Sequence, residues 1–398
     1  MTTLPSIRHV AIACGGTGGH LFPGLAVGQE LRARGFDVTL FISPKEVDQA
    51  GVASVRDQFR LAVLPAIGLS LRRLLPFLHS LRKSWREVAS VFHAHPPGAV
   101  LAMGGFTSVA PIMAARRAGA ATLLHESNTI PGRANQWLAP WVDECLVGFD
   151  EAATRLRHRR ITRTGTPVRA AFFTAKSEES RRRLGLDPAA PVLLVMGGSQ
   201  GASGINRRMA AAYPEILRQV PDCQWVHITG TREFQTYSTL SKTWPGRGRL
   251  LAFSSEMELW MASATAAVTR AGASSLAESA AVLLPSVLIP YPAATGDHQT
   301  ANARAFTQRG AAHLLPEVEA TSERLVALLV PLLTSATSRQ TMQSALAQLA
   351  VPEAASRIAD RVIAAFARRN PCAVTMIAPG KSAFSEKEAA FDTKEVCS

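Results

Sequence analysis

The sequence predicts an α/β protein of two Rossmann-like domains, each a parallel sheet wrapped by helices, facing one another across a deep interdomain cleft. Three observations predict it. A continuous apolar run, His9–Cys14, ends in glycines, and the pattern returns about half a chain later at Val192–Met196 before Gly197. Apolar runs of strand length then alternate with helical stretches, as buried parallel strands and crossover helices do. The composition agrees: 398 residues suit two domains, and 47% hydrophobic, 6% aromatic and 18% charged residues suit layered helices on buried strands.

After the first strand a helix places Leu25 and Leu31 on one face and stops at Gly35. Asp37–Ile42 is the second strand, with further strands near Leu61–Pro65, Ala99–Met103, Ala121–Leu124 and Glu144–Val147. Pro167 breaks the periodicity and sets the boundary, 1–167 against 168–352. In the second domain Lys176–Leu184 is helical and 187–191 is turn-rich. Strands follow at Val192–Met196, Gln224–Ile228, Arg249–Ala252, Ala266–Thr269 and Ser286–Ile289. Residues 322–369 are nearly all helical with a break at Pro352, and the last helix, 353–369, is expected to pack back on the first domain. Residues 370–398 lack periodicity, and a mobile tail is expected there.

The net charge of +13 rests mostly on arginine, which favours forked recognition of phosphate. Zinc-finger spacing, RNP-like aromatic strands and a basic region ahead of heptads are all absent, so nucleic acid is not an expected partner. The cysteines (14, 145, 223, 372 and 397) are odd in number and form no CxxC pair, so neither a disulfide framework nor a zinc site is expected. The first residues are too briefly apolar for a signal peptide. No stretch approaches the roughly 20 apolar residues that span a bilayer.

Chemistry concentrates in the glycine loops. Gly15–His20 lets the backbone approach a ligand closely, and the following helix start offers unpaired N–H groups and a positive dipole end. The spacing is not the GxGxxG dinucleotide fingerprint, which speaks against NAD. His20 is either a general base in the cleft or a cap of the helix start. Gly197–Gly201 repeats the logic, with Ser199 adding a hydroxyl. In Thr269–Glu278, Arg270 follows a strand, Ala273–Ser275 begin a helix, and Glu278 lies one turn on. That carboxylate either accepts ribose hydroxyls or stabilises the helix dipole. No DxD pair is present to hold a metal, so no metal or other cofactor is expected; a leaving diphosphate would be neutralised by backbone N–H groups, helix dipoles, Arg169 and Arg270. In residues 68–86, Leu75, Phe77, Leu78 and Trp85 interleave with Arg72, Arg73, Arg82, Lys83 and Arg86. This is either a surface for an anionic membrane or an amphipathic core helix with a solvated basic face.

Together the motifs GGTGGH (15–20), GGF (104–106), LHESN (124–128), GTPVR (165–169), GGSQGA (197–202), RAGASSLAE (270–278) and DHQTANA (297–303) resemble the MurG family within glycosyltransferase family 28. The resemblance runs to about Arg369. It implies a GT-B fold and a metal-independent, inverting transfer of GlcNAc from UDP-GlcNAc to the muramyl 4-hydroxyl of a lipid-linked muramyl pentapeptide. That reaction serves peptidoglycan synthesis, and hence cell wall biogenesis, cell shape and division. It implies a peripheral enzyme on the cytoplasmic face of the inner membrane, bound to its anionic surface, with cell-wall synthesis proteins as further partners. Donor contacts implied by matching positions are Thr17, Gly18, Gly19, Asn128, Arg169, Ser199, Ser254, Arg270 and Gln299. The helix start adds Ala273, Ser274, Ser275, Leu276, Ala277 and Glu278, with Glu278 on the ribose and His20 as the base. The chain departs from the family pattern at Ser127, Thr166 and Phe106. Two other readings fit the same motifs: another nucleotide-sugar enzyme such as a UDP-GlcNAc 2-epimerase, or a non-catalytic membrane-peripheral binder of nucleotide sugars.

Overall fold

The computed structural model describes residues 8–65, 74–198 and 201–371, with the side chains of 54 and 74–78 outside that description. The first domain runs β1 (His9–Ala13), α1 (Gly18–Ala33), β2 (Asp37–Ile42), α2 (Glu46–Val52), β3 (Arg60–Val63) and α3 (Leu74–Ala94). It continues through β4 (Ala99–Ala102), α4 (Val109–Arg117), β5 (Ala121–Glu126), α5 (Arg133–Leu138), β6 (Glu144–Val147), α6 (Asp150–Ala153) and β7 (Ile161–Arg163). The second begins with α7 (Ala170–Thr174), α8 (Ser177–Leu184), β8 (Val192–Met196), α9 (Ser203–Gln219), β9 (Gln224–Ile228), α10 (Phe234–Leu240) and β10 (Gly248–Leu251). Then come α11 (Met257–Ser263), β11 (Ala266–Thr269), α12 (Ala273–Ala281), β12 (Ser286–Leu288), α13 (His298–Thr307) and β13 (His313–Leu314). Three helices close the described chain: α14 (Ser322–Thr334), α15 (Ala336–Leu349) and α16 (Ala354–Arg369).

Both sheets are wholly parallel. Their orders are β3-β2-β1-β4-β5-β6-β7 and β10-β9-β8-β11-β12-β13. Each therefore reverses direction at one place, between β1 and β4 and between β8 and β11. Ligands of open α/β sheets bind at the carboxyl ends of strands at such switch points. The loops that leave these four strands are the glycine-bearing segments of the sequence.

Burial explains the strands that the pattern predicts. Every residue of β1 and of β8 is buried, because helices cover both faces of a parallel sheet. The two strands the pattern misses, β7 and β13, are short edge strands with half-exposed residues, so no apolar run marks them.

α16 packs on the first sheet. Ile358, Val362 and Phe366 are buried in one cluster with Val10, Ile12 and Leu31. Phe366 meets Phe36 edge-on, with ring centroids 5.5 Å apart. The fully buried Glu144 of β6 accepts from Arg361 at 2.8 and 2.9 Å and from the Thr162 hydroxyl at 2.7 Å. A buried charge is tolerated when it is paired and hydrogen-bonded in this way. The expected mobile tail lies outside the described residues, apart from its first two.

Candidate active site in the interdomain cleft

The first loop is held from three sides. Gly16 N–H donates to Asp48 Oδ2 at 2.7 Å, the Thr107 hydroxyl donates to Gly15 O at 2.7 Å, and Lys45 Nζ donates to Gly16 O at 2.7 Å. α1 starts at Gly18 with Thr17 before it, which puts His20 in its first turn. The imidazole sits against the loop after β4. A Cβ on Gly104 would lie 2.9 Å from His20 Nε2, and Gly104 and Gly105 both adopt positive φ, at 113° and 75°. Only glycine satisfies both demands, which is the physical content of the GGF motif. His20 Nδ1 lies 3.3 Å from the Thr17 hydroxyl. Burial lowers the imidazole to about 4, Asp48 works against that shift, and Lys45 and His298 add to it. His20 is therefore neutral at pH 7 and able to accept a proton.

Across the cleft, α12 brings its first turn to the first loop. Ser274 Oγ donates to Gly19 O at 3.1 Å. Glu278, one turn on, is raised to about 7 by burial, with Arg169 opposing and Glu258 adding to the shift. Arg169 pairs with Glu258 at 3.1 Å, and its guanidinium lies over Phe22 of α1 and Phe172 of α7. Arg270 is nearly buried, donates to Ile289 O and Pro290 O at 3.0 Å each, and pairs with Glu317 at 2.7 Å. Both arginines that the sequence offers for a leaving diphosphate have acidic partners in this structure. For Arg270 the pairing has a clear cause, because an unpaired guanidinium is costly to bury.

A second junction joins the domains beside the loop. Glu126 accepts from Asn128 N and Nδ2 at 2.8 and 3.0 Å, and from Gly132 N and Asn135 Nδ2 at 2.9 and 2.8 Å. Asn128 Oδ1 then accepts from Asn302 Nδ2 at 3.0 Å. Asn302, fully buried in α13, also donates to Ala271 O at 3.1 Å and accepts from Thr129 N and Oγ1 at 2.9 and 3.0 Å. The HESN and DHQTANA motifs therefore meet in space.

Thr17 and Gly19 are exposed and Gly18 is buried at the start of α1. Gln299 Oε1 accepts from Tyr291 N at 2.9 Å. The Ser254 hydroxyl accepts from Trp260 Nε1 at 3.0 Å and Glu256 N at 3.1 Å. Ala273 and Leu276 are buried, whereas Ser275 and Ala277 are half-buried. Ser199 lies outside the described residues. The departures Ser127 and Thr166 face each other, with the Thr166 hydroxyl 3.5 Å from Ser127 O.

In the first domain, Arg82, Lys83 and Arg86 of α3 are exposed, while Trp85 packs partly buried against the core. Arg72 and Arg73, and the side chains of Leu75, Phe77 and Leu78, lie outside the described residues. The sequence reading missed two exposed tryptophans, Trp137 and Trp141, the second under the guanidinium of Arg116 at 5.4 Å. α4, which carries Arg116, packs between α3 and α5. Among the described residues no helix is long and apolar enough to cross a membrane, and no group of three or more His, Cys, Asp or Glu is placed to hold a metal.

Asp48, Asn302, Glu258 and the Ser274–Gly19 contact are also absent from the sequence reading. Asn302 is the sixth residue of the DHQTANA motif, which is where the sequence carries its signal.

Comparison with known proteins agrees with this architecture. The glycosyltransferase family 28 N-terminal domain matches residues 10–147 and the C-terminal domain matches residues 192–358. A UDP-N-acetylglucosamine–N-acetylmuramyl-(pentapeptide) pyrophosphoryl-undecaprenol N-acetylglucosamine transferase of Carboxydothermus hydrogenoformans is 36% identical over 82% of this chain and 89% of its own. Among solved structures, MurG of Acinetobacter baumannii superposes with a TM-score of 0.67 at 24% identity, covering 89% of this chain and 99% of that one. A UDP-N-acetylglucosamine 2-epimerase has the same TM-score of 0.67 at 15% identity, covering 91% and 97%, so the fold alone does not separate the two activities. At the level of sequence the assignment is decided: the chain has the GT-B fold and belongs to the MurG family of glycosyltransferase family 28.

Proposed function

We propose that the protein transfers GlcNAc from UDP-GlcNAc to the 4-hydroxyl of a lipid-linked muramyl pentapeptide, with inversion to a β1,4 linkage and without a metal. The observation that carries this reading is the meeting of two helix starts. α1, bearing His20, and α12, bearing Glu278, touch through Ser274 Oγ and Gly19 O at 3.1 Å. A donor on α12 then presents its anomeric carbon to an acceptor bound beside His20.

The reaction is a single displacement. The acceptor oxygen forms a bond to the anomeric carbon as the bond to the β-phosphate oxygen breaks, and that electron pair leaves with UDP. His20 takes the hydroxyl proton. The N-terminal N–H groups and dipole of α12 stabilise the leaving diphosphate, which is the electrostatic work a metal does elsewhere. Arg169 and Arg270 support this site through Glu258 and Glu317: they hold its walls. The exposed basic face of α3, with Trp137 and Trp141 nearby, suits the anionic membrane surface where a lipid-linked acceptor resides.

Labelled UDP-GlcNAc in chelator tests the reading. Sugar transfer is expected only when the lipid-linked muramyl pentapeptide is present. Conversion of UDP-GlcNAc without acceptor would indicate an epimerase, and tight UDP binding without turnover a non-catalytic binder.

Glu278 supplies a pH signature. Its carboxyl ionises as pH rises through about 7, and only the carboxylate accepts from both ribose hydroxyls. KM for UDP-GlcNAc is expected to fall as pH rises through that range. In Glu278→Gln that limb should vanish and KM should rise about tenfold, the worth of one hydrogen bond to a charged group. A Gln variant with the wild-type KM profile would place the ribose elsewhere.

A further inference from the structure

We propose that Asp48 is a positioning residue for the transfer: it fixes the Gly15–Gly16 turn beneath α1 and places a negative charge behind His20, where the imidazole gains its proton. The inference rests on the reading of His20 as general base.

Asp48 lies in α2 and is fully buried. Its Oδ2 accepts three hydrogen bonds, from Gly16 N at 2.7 Å, Ser43 N at 2.9 Å and Ser43 Oγ at 2.6 Å. With Lys45 on Gly16 O and Thr107 on Gly15 O, the turn that aims α1 is pinned on all sides. Gly16 N–H is thereby used up, so a ligand at this loop must take its donors from Thr17, Gly18 and Gly19.

These bonds do not by themselves require a charge. The side-chain oxygen of an asparagine accepts the same three, and burying a carboxylate costs more than burying an amide. Oδ1 of Asp48 is buried and has no hydrogen-bond partner among the described residues. What the carboxylate adds is its field. The groups acting on His20 are Asp48 from α2, Lys45 from the β2–α2 corner and His298 from α13 across the cleft, with His125 of β5 also close. Burial, Lys45 and His298 all oppose an imidazolium, and Asp48 favours it. As the acceptor hydroxyl gives up its proton, the new cation forms in a half-buried site near the Lys45 ammonium, and Asp48 is the counter-charge.

The test uses full-length wild type, Asp48→Asn, Asp48→Glu and Lys45→Met. Three properties are read: acceptor-dependent kcat, the thermal midpoint, and the titration of the His20 ring by NMR of labelled histidine without substrates. Asp48→Asn should lower kcat roughly 10- to 100-fold, part of what a general base contributes. Its KM for UDP-GlcNAc should hold, and its His20 should remain neutral to the lowest pH at which the fold persists. Asp48→Glu should restore part of kcat, and Lys45→Met should move the His20 titration upward. Wild-type kcat in Asp48→Asn would overturn the proposal. So would a kcat loss that follows the thermal midpoint and is not relieved by glutamate. If Asp48→Asn does not fold, the other two variants decide, and an unmoved His20 titration in Lys45→Met overturns the proposal. A wild type that transfers nothing to the acceptor overturns the functional reading instead, and the NMR arm still judges Asp48.

Discussion

Replacing His20 with alanine should lower kcat by roughly 100- to 10,000-fold, the range that a positioned general base contributes. KM for UDP-GlcNAc should change little, because the donor is assigned to α12 and its neighbours. The pH profile supplies the sign. A base works when deprotonated, so activity that depends on His20 is full above its pKa and falls below it. With the imidazole lowered to about 4 by burial, kcat at saturating donor should stay level on acidification past 6.5 and fall only as pH approaches 4. The Glu278 limb near 7 appears in the donor KM, so Glu278→Gln separates the two. Turnover unchanged in His20→Ala would remove the base assignment and leave the residue as a cap of α1.

Asn302→Ala should be the most damaging substitution at the junction between the domains. The Asn302 amide makes four hydrogen bonds, to Asn128, Ala271 and twice to Thr129, and the residue is fully buried. Alanine leaves the Thr129 N–H and the Ala271 carbonyl without these partners, at a cost of about 3 kcal/mol for two buried polar groups. Asn302→Asp is expected to be no better. It keeps the acceptor for Thr129 but turns a second oxygen towards Ala271 O and Asn128 Oδ1, where a donor is needed. Both variants should also lose roughly tenfold in kcat, because α12 and α1 no longer hold one relative position. Denaturant unfolding and donor kinetics read the two effects. Wild-type stability in Asn302→Ala would show that the junction is carried by other contacts.

The parts of this molecule legible in the sequence are those written in consecutive residues. β1, β8 and the glycine loops behind them are continuous apolar runs with a fixed ending, because parallel strands are buried on both faces. β7 and β13 are edge strands of two or three residues, and no local pattern marks them. The placement of His20 and Glu278 at helix starts is legible because each follows a glycine turn. Asp48 was not, since nothing near it in sequence indicates that its partner is Gly16. The Ser274–Gly19 contact joins residues 255 apart, and the acidic partners of Arg169 and Arg270 lie on other elements. Periodicity gives α16 an apolar stripe, but the Glu144–Arg361 pair that seats it needs the sheet to exist first.

In the proposed reaction a base on the first domain directs an acceptor hydroxyl onto a sugar held by the second. The most direct measurement is the structure of the product formed from UDP-GlcNAc and lipid-linked muramyl pentapeptide in chelator, read by proton NMR of the new anomeric centre. A single β1,4-linked product with a large axial–axial H1–H2 coupling is expected, formed only with acceptor and lost in His20→Ala. An α-linked product, a requirement for added divalent metal, or conversion of UDP-GlcNAc without acceptor would contradict the proposed reaction.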